Sequence, residues 1–240
     1  MKKNNLYTQN FYQGTTINNS LSSEIIIKEL MKSINPNSVL DAGCALGTWL
    51  HHWALNGVDT KYVNKEDLVI DPQFFMTKKL DSHFDIGKQF DLVQCLEVAE
   101  HIPTQASSII VENLVRHGKV ILFSAAVPGQ GGIGHINEQP LAFWFSIFNK
   151  HNYICIDFIR PLIKNKLNVQ YYYRYNTLLF VHRDYLTNLP SHLLDCIVED
   201  ASKLKDYSPL PFKFRKLLLR TLPVKLVDRL ASVKQKLNSK

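Results

Sequence analysis

The stretch Val39-Leu40-Asp41-Ala42-Gly43-Cys44-Ala45-Leu46-Gly47-Thr48-Trp49-Leu50 constrains this chain more than any other. It reads as a short buried strand, a glycine turn and the start of a helix, with an acid at the strand's end. Glycine adopts backbone angles that other residues resist, so such a turn passes close under a nucleotide-like ligand. The dinucleotide fingerprint G-x-G-x-x-G is absent. Ala45 holds the middle position, and the glycines fall at 43 and 47.

The rest of the chain repeats that alternation. A helix with Ile26, Leu30 and Ile34 on one face precedes the turn, with Ser22 and Ser23 offering N-caps. Asn35-Pro36-Asn37 ends it. Beyond residue 56 only short candidate strands are visible, near Leu68–Ile70 and Phe74–Met76. Phe90–Leu96 and Lys119–Ala125 read as strands, with a helix over Thr104–Val115 between them. A loop from Ala126 to Gln139 holds four glycines. A helix over Pro140–Asn149 follows, then strands over Tyr153–Ile159 and Thr177–His182. Strands alternating with helices predict a mostly parallel α/β sheet covered on both faces, with the last two strands as an antiparallel edge.

A chain of 240 residues, 45% of them apolar, is long enough to bury one substantial core. No apolar run is long enough to cross a bilayer, and the N-terminal residues lead into no signal-peptide core. The four cysteines, Cys44, Cys95, Cys155 and Cys196, form no CxxC pair, which fits a reduced cytoplasmic protein and no disulfide frame or zinc site. No ligand cluster with metal spacing is visible. The net charge is +7, and residues 211–240 alone carry +8, so the body is near neutral. That distribution gives nucleic acid little to bind. We expect an arm over residues 1–20, a domain over 21–184 and a helical, separable basic tail over 185–240.

Three strand ends carry unusual residues: Asp41–Gly47; Glu97-Val98-Ala99-Glu100-His101-Ile102-Pro103; and the glycine-rich loop with His135, Asn137 and Glu138. Together with their spacing, the segments 38–50, 90–103, 120–139 and the aromatic run 171–176 resemble the class I S-adenosylmethionine-dependent methyltransferases. The match is to a bacterial subgroup encoded among surface-polysaccharide genes. The run Phe123-Ser124-Ala125-Ala126, then Pro128-Gly129-Gln130-Gly131-Gly132, then His135 and Asn137-Glu138-Gln139, is its most specific part.

The resemblance implies a Rossmann-like sheet and the cofactor S-adenosylmethionine. Its methionine end would lie at Asp41, Gly43, Cys44 and Gly47, and Cys95, Leu96 and Glu97 would line the sulfonium. A sugar or glycan-precursor substrate would enter under the glycine-rich loop, near Glu100, Asn137 and Glu138. His101 and His135 are the candidate bases, because a sugar hydroxyl is a poor nucleophile until its proton is taken. No metal is needed for that transfer. Of Glu97 and Glu100, one reads as a cofactor or substrate contact and the other as a solvated helix-start acid. His101 reads equally as a backbone-bonded cap and His135 as a polar loop residue.

The chain departs from the pattern at Ala45, at a short 57–62 segment in which Asp59 is the remaining acid for the ribose, and at Lys79. Lys79 stands where an acid for the adenine amino group is expected. Asp81, two positions on, would face away if the segment were extended. If no acid holds the adenosine, the domain would be a non-catalytic partner; a phosphorylated or amino acceptor is the other alternative. Tyr171–Tyr173 suit stacking on a sugar or a half-buried edge strand. Tyr7 and Tyr12 suit closure over the cofactor or simple packing. In the tail, Phe212, Phe214, Leu217–Leu219, Leu222, Leu226 and Leu230 interleave with basic residues. This pattern suits amphipathic helices on an anionic inner-membrane surface, or helices packed on the domain with the basic face in water.

Overall fold

The computed structural model describes residues 9–53, 56–59 and 65–238. Tyr7 lies outside them, as does the side chain of Tyr12. In chain order the elements are α1 (Gln9–Leu30), β1 (Val39–Ala42), α2 (Thr48–Trp53), β2 (Asn56–Asp59), β3 (Phe75–Thr77), β4 (Leu92–Leu96), α3 (Ser107–His117), β5 (Val120–Ser124) and α4 (Leu141–Lys150). Then follow β6 (Tyr153–Ile156), α5 (Ile159–Ile163), α6 (Tyr171–Asn176), β7 (Leu178–His182), α7 (Ser191–Leu194), β8 (Ile197–Val198), α8 (Leu210–Arg220) and α9 (Val224–Asn238).

The strands form one sheet in the order β3-β2-β1-β4-β5-β7-β6-β8. The first five are parallel, and β7 runs antiparallel between β5 and β6. The mostly apolar strands β1, β4, β5 and β7, buried along nearly their whole length, suit strands covered on both faces. Alternate residues go to opposite faces. Leu40, Val93, Ile121 and Phe123 pack with Ile110, Leu114, Trp144 and Phe148 of α3 and α4. Val39, Leu92, Val120 and Leu122 pack with Ile26 and Leu30 of α1, Trp49 and Trp53 of α2, and Ile159 and Ile163 of α5. The expected mostly parallel sheet with an antiparallel edge is the sheet found. Its chain direction diverges between β1 and β4, which opens a crevice at their carboxyl ends.

Several local expectations are corrected. Ser22 and Ser23 do not start a helix: α1 runs through them from Gln9. Both hydroxyls serve packing instead. Ser23 Oγ donates to the Ser20 carbonyl and meets His52 Nδ1, while Ser22 Oγ accepts the Gln170 N–H. Leu68–Ile70 is no strand; Val69 N–H donates to the Leu46 carbonyl, and Ile70 packs beneath Gly47. The strand expected over Tyr153–Ile159 stops at Ile156 and turns into α5. Tyr171–Tyr173 form the first turn of α6, not an edge strand. The edge belongs to β8, which lies in a region read as helical.

The basic tail does not stand apart. Arg215 Nη1 donates to the Gln130 carbonyl at 2.9 Å, Arg220 Nε donates to the Pro128 carbonyl at 2.9 Å, and Asp228 Oδ1 accepts the Gly134 N–H. Gly129 lies so close to α8 that a Cβ there would overlap the Lys216 carbonyl. The tail therefore clamps the glycine-rich loop.

Candidate functional site

The glycine turn leaves β1 with three left-handed residues in five: Gly43 (φ 92°), Ala45 (φ 47°) and Gly47 (φ 86°). A Cβ on Gly43 would overlap Val98, so the backbone meets the segment after β4 as closely as chemistry allows. Ala45 bears a strain of about 1–2 kcal/mol in this conformation. One contact stabilises it: Ala45 N–H donates to Asp59 Oδ2 at 2.6 Å. Asp59 is the last residue of β2, directly beside β1, so the second strand and its acidic end are present. Asp41 is buried, and that burial, with the charge on Asp59 adding to it, raises its carboxyl to about 7.

The second strand end holds the acids. Glu97 has φ 56°, a left-handed angle that an ordinary side chain resists. Its N–H donates to the Ser124 carbonyl and hydroxyl, and its Oε2 accepts from Gln130 Nε2 at 2.8 Å. Gln130 Oε1 in turn accepts from Asn176 Nδ2. Burial raises the Glu97 carboxyl to about 8, and the neighbouring Glu100 adds to the shift. Glu100, 1% exposed, is raised mainly by burial.

His101 ends the short turn that follows β4, and His135 reaches it from the loop after β5. Their rings meet edge-on at 5.0 Å. Burial, with the charge on His135, lowers His101 to about 4. Burial also pulls His135 down, but the Glu138 hydrogen bond and the charge on Glu100 outweigh it and leave it raised.

These groups line one cavity of about 860 Å³, within the range of small-molecule sites. Asp41, Gly43, Cys44, Ala45 and Asp59 lie along one wall; Leu96, Glu97, Glu100, His101 and His135 lie along another. Lys79, Leu80 and Asp81 also line it. Residues 80–81 form a turn, so strand alternation does not aim Asp81 away as expected. Trp49 and Tyr171–Tyr173 complete an aromatic side, with Trp49 Nε1 donating to the Tyr173 hydroxyl.

Four residues expected at the site stand behind its wall. Cys95 is wholly buried in the core, because alternation in β4 turns it inward. Gly47 faces Ile70. Asn137 is buried and donates to the Ala99 carbonyl and Ser107 Oγ. Glu138 accepts the N–H groups of Gly129 and Gly131 and meets His135 Nδ1 at 2.9 Å. The last two shape the loop. Gln130 and Trp49 were missed as site residues, although Gln130 sits within the most specific stretch of the sequence. The absence of a metal-type cluster was a matter of sequence spacing, and folding changes it: ligand atoms of Glu100, His101 and His135 lie within 4.8 Å of one another.

No family model matches the sequence, and no curated protein matches it. Among solved structures the chain is similar to the sugar N-methyltransferase KedS8 from Streptoalloteichus sp ATCC 53650. The identity is 15%, over 72% of this chain and 91% of that one, with a TM-score of 0.53. This is a methyltransferase fold. The chain is also similar to magnesium protoporphyrin IX methyltransferase (ChlM) from Synechocystis PCC 6803 with bound SAH, at 18% identity over 71% of this chain and 86% of that one, with a TM-score of 0.49. No described helix is long and apolar enough to cross a membrane.

Proposed function

We propose that the chain is an S-adenosylmethionine-dependent methyltransferase acting on a hydroxyl of a sugar or surface-polysaccharide precursor. The carrying observation is that Asp41, Asp59 and Glu97, from the ends of three adjacent elements of one sheet, face the same cavity. These residues fit the cofactor. A buried carboxylate at Asp41 suits its amino group, Asp59 suits the ribose hydroxyls, and Trp49 and Leu80 supply apolar wall. When bound, S-adenosylmethionine supplies a methyl group on a positively charged sulfonium.

The chain's own part is placement and proton removal. Most of the rate of such a displacement comes from holding the nucleophile at near-attack distance. The Tyr171–Tyr172 side offers flat faces for a sugar ring. A neutral amine needs no base, whereas a hydroxyl does, and the Glu97, Glu100, His101 and His135 group provides the machinery for that proton. This favours oxygen over nitrogen as the acceptor, even though KedS8 is named an N-methyltransferase.

Calorimetry with S-adenosylhomocysteine tests the reading. Stoichiometric binding is expected, and Asp59→Ala is expected to weaken it about 10–100-fold, the worth of hydrogen bonds to a charged group. No heat at millimolar ligand would leave a non-catalytic partner protein as the better account.

A second reading concerns the tail. Its clamp on the loop uses Arg215 and Arg220, yet Phe214, Leu217 and Leu218 stay exposed beside Lys213. An apolar stripe flanked by cations suits an anionic bilayer surface, at about 1 kcal/mol per basic residue. We infer peripheral attachment to the inner face of the membrane. Replacing Phe214, Leu217 and Leu218 by Ser is expected to abolish flotation with anionic liposomes and leave the fold intact. Equal flotation of the variant and the parent counts against attachment.

A further inference from the structure

We propose that Glu100, His101 and His135 form a binding site for one divalent transition-metal ion of the zinc, cobalt or manganese type. The inference rests on the methyltransferase reading only for its role, not for its ligands. Two imidazole nitrogens and a carboxylate oxygen are the donor set of catalytic zinc sites with three protein ligands.

The geometry around the histidines is that of metal ligands. His101 Nδ1 lies 3.1 Å from the Gly134 carbonyl, and His135 Nδ1 lies 2.9 Å from Glu138 Oε1. An N–H donated to each oxygen fixes the tautomer and puts the lone pair on Nε2 of each ring. A ligating histidine is held in this way, by a carbonyl or carboxylate on its far nitrogen. His135 Nε2 stands 3.9 Å from Glu100 Oε1. Ligands at 2.0–2.2 Å from a tetrahedral ion sit about 3.4 Å apart. The three atoms, within 4.8 Å of one another, therefore need to close by at most about 1.4 Å, on the scale of side-chain rotations.

Two further observations point the same way. Glu100 is 1% exposed, and its Oε2 has no hydrogen-bond partner among the described residues. Glu97 Oε1, on the same wall, is buried in the same condition. Unsatisfied buried carboxylate oxygens are costly unless something binds them. Gly132 permits the arrangement, since a Cβ there would overlap the His135 ring.

With three protein ligands the ion keeps open positions toward the cavity. An acceptor hydroxyl entering one of them becomes more acidic. Its proton would pass to Glu97, whose side chain accepts it only in the deprotonated form. With S-adenosylmethionine bound, the oxygen would bond to its methyl carbon as the carbon–sulfur bond breaks, the sulfur keeping the electron pair as neutral S-adenosylhomocysteine.

The test uses the full chain after stripping with EDTA. Titration with Co²⁺ is expected to give one equivalent of a visible absorption band, and Zn²⁺ is expected to displace it. His135→Ala and Glu100→Gln should each weaken Co²⁺ binding by at least about 100-fold. Glu138→Gln, which alters what holds His135 and the loop turn at Gly129 and Gly131, should weaken it by about 10–100-fold. Thermal melts check that each variant folds. Absence of one-equivalent binding by the parent, or parental binding by folded Glu100→Gln, overturns the site. S-adenosylhomocysteine calorimetry on the stripped protein separates the two claims. Cofactor heat without ion binding removes the metal and keeps the methyltransferase; ion binding without cofactor heat does the reverse.

Discussion

Replacing Asp41 by Asn is expected to stabilise the free protein at pH 8 and abolish its cofactor binding. Burial raises this carboxyl to about 7, against an ordinary value of 3.8. The folded state therefore holds the proton more tightly than the unfolded one. The contribution is fully present below about pH 4 and is lost at up to about 1.4 kcal/mol per pH unit as pH rises toward 7. Above 7 the folded protein carries a buried charge. Asn keeps the shape and removes that charge, so it should add on the order of 2 kcal/mol at pH 8 and little at pH 4. Urea denaturation at the two pH values measures this.

Binding moves the other way. An amino group needs the carboxylate, so parental affinity for S-adenosylhomocysteine should fall as pH drops below 7, toward tenfold per unit. The Asn variant should show no such slope and no binding at micromolar ligand. An Asn variant that binds like the parent would remove Asp41 from the cofactor site. Stabilisation at the expense of binding is the signature of a group kept for function.

Arg160→Ala is expected to cost about 3–5 kcal/mol of stability. Arg160 is fully buried and forms two hydrogen bonds with Asp157, at 2.8 and 2.6 Å. Its remaining nitrogen donates to the carbonyls of Tyr175 and Lys205. Alanine leaves a largely buried carboxylate and two carbonyls without their donor. For a chain of this size the melting temperature should fall by roughly 10 °C. Arg160→Lys should recover only part of the loss, because an ammonium cannot reproduce the planar fork. A melting temperature unchanged in Arg160→Ala would show that water replaces these bonds at no cost. Lys205 lies in the tail just ahead of α8, so the same change should also loosen the helices that clamp the glycine-rich loop.

What could be read from the sequence follows from how locally each element is specified. Strands β1, β4 and β5 are mostly apolar segments next to turn residues, and they were legible. Strand β2 is Asn-Gly-Val-Asp, with one apolar side chain. Its strand conformation comes from pairing with β1 and β3, which no window of sequence contains. Ser22 and Ser23 have the chemistry of helix caps, but partners 29 and 148 positions away take their hydroxyls into a helix interior. The tyrosines of α6 have strand propensity, yet packing on Trp49 and Phe212 outweighs it. In the site, Asp41 and Glu97 were visible because each ends a legible strand. The convergence of His135 on Glu100 was not, because it depends on a glycine-rich loop whose shape is set by Glu138 from within and by Arg215 and Arg220 from the tail.

That last contact has a temporal side. Gln130 leaves the ribosome some 85 residues ahead of Arg215, which is several seconds at ordinary rates of synthesis. During that interval the sheet and the Asp41 turn can form, but the loop carrying His135 lacks its contacts to Arg215 and Arg220. The acceptor half of the cavity is thus finished last. A nascent chain able to seat a cofactor would still lack a place for its second substrate.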